Sequence, residues 1–264
     1  MSVVIPDSAI FALASGASIF TVACSSGPIS VGDNRFISDA SGTKAGTGGA
    51  GGGAPTDAAN GSADAADAIA PRPGDLVGVT SSCNPISTGF LASRPGATPD
   101  VSICRLSTAV FWTSGLAVLC AGKTTTTCNS MTDPQFQSTT TAKDSLGGNL
   151  DAAALPYVEV SAPTPTFDYR AAGLTMGGVV AVVYQDKLEY GIIGTVGQPD
   201  IIGDASYAMA NALGLSPNPM TGGVQTNSVT YIAFKGVAVN MNENHDEAVR
   251  LGTAAASALI QADK

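Results

Sequence analysis

The sequence predicts a mainly β domain with two helices, preceded by a disordered linker. Three observations lead there. Apolar β-formers come in short runs at 109–112, 157–160, 179–184, 188–193 and 229–234, and Pro, Gly, Asn and Ser clusters separate most of them. Only two stretches space their apolar residues as a helix would. With 31 Gly and 15 Pro among 264 residues, and only 12% charged, the composition excludes coiled coils and long helical bundles.

The first element, residues 1–24, reads as a signal or lipoprotein-like segment. An apolar run from 9 to 23 ends in Thr21-Val22-Ala23-Cys24, followed by Ser25, Ser26 and Gly27. The run is too short to span a bilayer comfortably and lacks flanking charge. No Lys or Arg occurs before residue 20, so the usual basic start is missing. Export to a secreted or cell-surface location is the expectation, with Cys24 as the candidate lipid anchor. Residues 25–75 cannot build a core: eight glycines fall between 41 and 61, and no aromatic residue lies between Phe36 and Phe90. They read as a weakly acidic Gly/Ala/Asp linker.

The folded unit is expected over 76–264. Gln185-Asp186-Lys187 joins two strand runs as a hairpin turn. The first helix is expected over 205–213, with Ala205, Met209, Ala212 and Leu213 on one face and Gly214 as its stop. The second is expected over 246–261, with Asn244 as N-cap, Glu247 three residues on, and Ala248, Leu251, Ala255 and Leu259 as its apolar stripe.

Four cysteines, Cys83, Cys104, Cys120 and Cys128, cluster in this unit. An even count in an exported chain reads as two disulfides with three connectivities open, and the short loop makes Cys120–Cys128 the first pair. Their spacing does not match a paired zinc knuckle. His245 is the sole histidine, so no two-histidine metal site exists and a catalytic triad would have to run through it. No cofactor or metal is expected. The net charge is −9, and from residue 76 onward fourteen acids face nine bases. That balance makes nucleic acid a poor partner and a polycation a good one. A monomer is expected.

Several motifs in order carry a resemblance. They are Cys120-Ala121-Gly122-Lys123-Thr124 with Cys128-Asn129, Thr132-Asp133-Pro134-Gln135-Phe136-Gln137, and Leu155-Pro156-Tyr157-Val158. Then follow Phe167-Asp168-Tyr169-Arg170, Tyr190-Gly191-Ile192-Ile193-Gly194, Gly203-Asp204-Ala205-Ser206 and Thr221-Gly222-Gly223. Together they resemble the family 75 glycoside hydrolases, the endo-chitosanases, over somewhat under two thirds of the chain. The stretch around Asp204 also resembles double-psi β-barrel proteins such as expansins, rare lipoprotein A and family 45 endoglucanases. The resemblance implies a double-psi-like β-barrel that cleaves the β-1,4 bonds of chitosan with inversion, using two carboxylates.

In that family one carboxylate follows the Tyr-Gly-Ile-Ile-Gly strand and the other opens the next helix. Here Thr195 occupies the first position and Asp204 the second. Asp204 is therefore the leading catalytic candidate; the bland reading makes it an N-cap. Asp200, on the loop between them, is the candidate replacement for the lost acid, against a plain exposed loop aspartate. Asp168 and Tyr169, with Thr195, are substrate-binding candidates; Asp168 reads equally as the partner of Arg170. Two rival functions remain open: a polysaccharide-binding module that no longer cuts, and a peptidoglycan-acting barrel protein.

Overall fold

A computed structural model of the protein describes residues 70–263. The expectations for Cys24, and for the linker before residue 70, lie outside the described residues. The elements are α1 (Pro73–Val79), β1 (Pro85–Ala92), β2 (Val101–Arg105), β3 (Ala109–Leu119), β4 (Tyr157–Ala162), β5 (Gly178–Tyr184) and β6 (Lys187–Pro199). They continue with β7 (Ile201–Ile202), β8 (Asp204–Ser206), α2 (Tyr207–Ala212), β9 (Val224–Ala238) and α3 (His245–Ala262).

Six strands close into a barrel. The order runs β3, β8, β4, β6, β5, β9, and β9 pairs again with β3, which leaves the ring no free edge. The remaining strands, β2, β1 and β7, extend from β3 as a flap. The mainly β barrel is thus the fold that the sequence implies, with α1 as a third, short helix.

Strand alternation explains how the ring is filled and covered. On β5, Val180 and Val182 join Trp112, Val158, Tyr231 and Ala205 in the largest core cluster. Val179, Ala181 and Val183 point the other way and meet Leu76 of α1 with Ala256, Leu259 and Ile260 of α3. A strand buried on both sides must be apolar throughout, and that is why 179–184 was legible. Within the main cluster Trp112 and Tyr231 stack with ring centroids 5.3 Å apart.

The Gln185-Asp186 turn is as expected: Tyr184 and Lys187 are partners across it, and Gln185 takes a positive φ of 54°. Helix α3 begins as its pattern predicts, with Asn244 accepting the Glu247 N–H at 3.0 Å. His245 opens the helix, and its Nε2 lies 2.9 Å from Glu189 Oε1. Helix α2 differs from the expectation. Residues 204–206 form strand β8, and the helix starts only at Tyr207, because Ala205 is drawn into the barrel beside Val118 and Val158.

Both disulfides form. Cys120–Cys128 closes the short loop with Cα atoms 5.2 Å apart, and Cys83–Cys104 ties the start of β1 to β2 at 5.1 Å. The second bridge spans 21 positions and staples the flap. Changing Cys83 and Cys104 together to Ser should lower unfolding free energy by about 3 kcal/mol through release of loop entropy. A denaturant midpoint unchanged from the parent protein would show that the flap holds without it.

Candidate active site

The site forms on the outer face of the barrel, where β8, β4 and β6 lie side by side. Val158 and Val160 of β4 point into the core, so Tyr157 and Glu159 point out. Val158 pairs antiparallel with Ala205, which sets Glu159 opposite Asp204. On the other side Glu159 pairs with Thr195 of β6, after an irregularity in register at Gly194. Asp204, Glu159 and Thr195 therefore form one row across three strands.

Over Asp204 and Glu159 opens a cleft of about 850 Å³. The flap supplies one wall through residues 91–97, and the loops at 133–137 and 219–225 supply others. Four glutamines line it, Gln135, Gln137, Gln198 and Gln225, together with the acids Asp133, Glu159 and Asp204. Among the described residues Arg94 is its single cationic side chain, and no aromatic ring lines it. Such a surface offers hydrogen bonds and charge in place of a stacking platform.

Asp204 is half-buried and does not cap α2. Ser206 holds that duty, its Oγ accepting the Met209 N–H at 3.2 Å. The shift of the helix start by two residues is what frees the carboxylate. Ser93 of the flap donates its hydroxyl to Asp204 Oδ1 at 2.8 Å. Burial pushes the Asp204 carboxyl up to about 6, while the Ser93 hydrogen bond pulls it down.

Glu159 is the residue that sequence reasoning missed. It is 7% exposed, and its Oε2 has no hydrogen-bond partner among the described residues. Burial first, and then the charge of Asp204, push its carboxyl up to about 8. Its side chain leans across β6: a Cβ added at Gly197 would stand 1.7 Å from Glu159 Oε1. The glycine at 197 thus makes the space that the carboxyl occupies. The one signal in the sequence was an acid inside the apolar run 157–160, and alternation alone reads that as a solvent-facing position.

The other predicted residues lie elsewhere. Thr195 is 3% exposed, and its Oγ1 meets the backbone N–H and hydroxyl of Thr141, each at 3.3 Å. Asp200 is exposed at a corner with φ 60°, its N–H bonded to Ser161 Oγ, and it does not line the cleft. Asp168 is held by Arg170 at 2.9 and 2.8 Å, which keeps its carboxyl below the usual range. Tyr169 is 8% exposed within the main core cluster. Neither Asp168 nor Tyr169 reaches the cleft. Among the described residues no three His, Cys, Asp or Glu side chains group as metal ligands.

Glu159 makes stability pH-dependent in a stated direction. The folded protein keeps this proton while the unfolded chain has lost it, so stability falls as pH rises from about 4.5 to about 8. The loss amounts to about 1.4 kcal/mol for each unit by which the two pKa values differ. Glu159→Gln should remove that slope and raise the melting temperature at pH 9 above that of the parent. Equal melting temperatures at pH 9, with parallel pH profiles, would mean the carboxyl titrates normally.

Residues 116–255 match the family model for fungal chitosanases of glycosyl hydrolase group 75. No curated protein sequence matches the chain.

Proposed function

The chain belongs to the fungal chitosanases of glycosyl hydrolase group 75, and from that premise we propose that it hydrolyses the β-1,4 bonds of chitosan in the cleft over Asp204. The observation that carries this reading is Asp204 itself. It is a half-buried carboxylate on the cleft, released from helix capping and anchored at Oδ1 by Ser93.

Inverting hydrolysis needs a base to deprotonate the attacking water and an acid to protonate the leaving oxygen. Asp204 suits the base, since it is ionised above pH about 6. The acid must come from the remaining carboxyl groups on the cleft, Asp133 and Glu159. Asp200, Asp168, Tyr169 and Thr195 have no part in the cut on this reading, because none of them lines the cleft. The cleft's three acids and the chain's net charge of −9 favour a cationic amino-sugar polymer. The glutamine amides offer paired donors and acceptors for hydroxyl and amino groups. Two disulfides fit an oxidising compartment, which supports a secreted or cell-surface location, with Cys24 as the candidate lipid anchor and a monomer as the working form.

A second reading, a module that binds the polymer without cutting it, draws on Thr195, which brings no carboxyl group to its place beside Glu159. Reducing-end release from soluble chitosan oligosaccharides separates the two. Asp204→Asn should lower kcat by about 100-fold or more, with KM within a few fold. In the parent protein kcat/KM should fall below pH about 6. Ser93→Ala should move that acid limb upward, because the bond that favours ionised Asp204 is gone. Full turnover by Asp204→Asn would sink the assignment. Retention on chitosan beads with no release by the parent protein would establish the binding module.

A further inference from the structure

We propose that Glu159 is the neutral carboxylic acid of this site and protonates the leaving oxygen, with Gly197 as the residue that positions it. The proposal deepens the chitosanase reading and rests on it for the identity of the substrate.

Three geometric facts carry it. First, Glu159 is 7% exposed and yet lines the cleft that Asp204 also lines. Second, Oε2 is buried and has no hydrogen-bond partner among the described residues. An ionised carboxylate buried without donors is far too costly to persist, so the group stays protonated. A protonated carboxyl has a hydrogen to give, and Oε2 finds no partner for it among the described residues. A substrate in the cleft that Glu159 lines brings an acceptor to this group. Third, the β4–β8 register places Glu159 opposite Asp204, while its side chain leans the other way, over Gly197 of β6. The Glu159 carboxyl is therefore directed toward β6 and away from Asp204.

Asp133 is the other acid available, and its environment differs. Its Oδ1 accepts the Gln135 N–H at 2.8 Å, closing a turn in the loop of the opposite wall. That bond assigns the residue to loop geometry. Asp133 is thus committed to its turn, and Glu159 is left.

The step balances. The Glu159 hydroxyl proton passes to the glycosidic oxygen as the C1–O bond breaks, and that oxygen keeps the bonding electron pair. Water attacks C1 from the opposite face and gives its proton to Asp204. Glu159 ends ionised and Asp204 protonated, and exchange with solvent restores both. The pH profile should be a bell, with an acid limb near 6 and an alkaline limb near 8 that belong to the interacting pair.

Leaving-group dependence distinguishes an acid from a structural residue. Full-length Glu159→Gln, checked for folding by its melting curve, is assayed on a chitosan oligosaccharide and on an aryl β-glycoside of the same oligosaccharide. The phenolate of the second substrate departs without protonation. A drop in kcat of about 100-fold or more is expected on the first substrate. On the second the drop should be under tenfold, and the alkaline limb should disappear. Gly197→Ala, which pushes a methyl group into the carboxyl's space, should lower kcat on the first substrate and shift the alkaline limb. It should spare the aryl substrate.

Equal losses on both substrates in Glu159→Gln would overturn the proposal in favour of a structural role. So would turnover within threefold of the parent. A leaving-group-selective loss in Asp133→Asn instead would move the acid to Asp133. Should the parent protein cut neither substrate, the chitosanase reading fails and the catalytic step fails with it. The infrared band of a protonated carboxyl at pH 7 then decides the rest. Present in the parent and lost in Glu159→Gln, it keeps Glu159 as a neutral donor facing the cleft; absent, it overturns that too.

Discussion

Strand β4 is held from both sides, by β8 and by β6, and the rest of the site depends on that sandwiched position. Val158 and Val160 are buried inside the closed ring, so the strand can neither slide nor rotate without exposing them. The residue between them must then project outward, at a fixed height, beside Ala205's neighbour Asp204 on one flank and Thr195 on the other. A hydrophobic constraint inside the barrel thus determines where two carboxyl groups project outside it. Ring closure adds rigidity, since six strands with no free edge leave no strand end to fray toward the cleft.

The outer face carries an energetic tension of the kind that accompanies reactive groups. A buried glutamate without a hydrogen-bond partner lowers stability, and nothing in the fold needs one there. Gly197 compounds the loss by giving up a side chain in a strand so that the carboxyl has room. Asp204 is likewise released from a favourable role, because Ser206 takes over the helix cap. Each concession opens the same cleft. Structural contacts hold three other acids: Asp168 grips Arg170, Asp144 grips Lys123, and Asp133 closes a turn.

The flap shows that the segment matching the family model does not build the site alone. Residues 116–255 contain Asp204 and Glu159, yet Ser93, which holds Asp204 Oδ1, belongs to the flap before that segment. So does Arg94, the single cation on the cleft wall. The Cys83–Cys104 bridge and the parallel pairing of β1 with β7 keep this wall against the barrel. The flap is therefore a working part of the cleft, joined to the barrel by covalent and backbone bonds.

Much of this was legible in the chain itself, for physical reasons that are local. Strand β5 is buried on both faces, so its run of valines announces it. Helix α3 carries its cap and its stripe within one turn of each other, and the short Cys120–Cys128 loop leaves its two thiols little alternative. Asp204 could be named because its motif is contiguous. Strands β1, β7 and β8 were not legible: they are short or irregular, and only partners far along the chain make them strands. Glu159 was hidden for the same reason. An acid alternating with valines looks solvent-facing until β6 and β8 close beside it and the flap walls its cleft, and its partners on β6 and β8 lie 36 and 45 positions away. The sequence by itself determined the mainly β class and one carboxylate, and pointed to Cys120–Cys128 as the first disulfide. Only the tertiary structure decided that a second carboxyl faces the same cleft, because burial belongs to the assembled strands and to no single one of them.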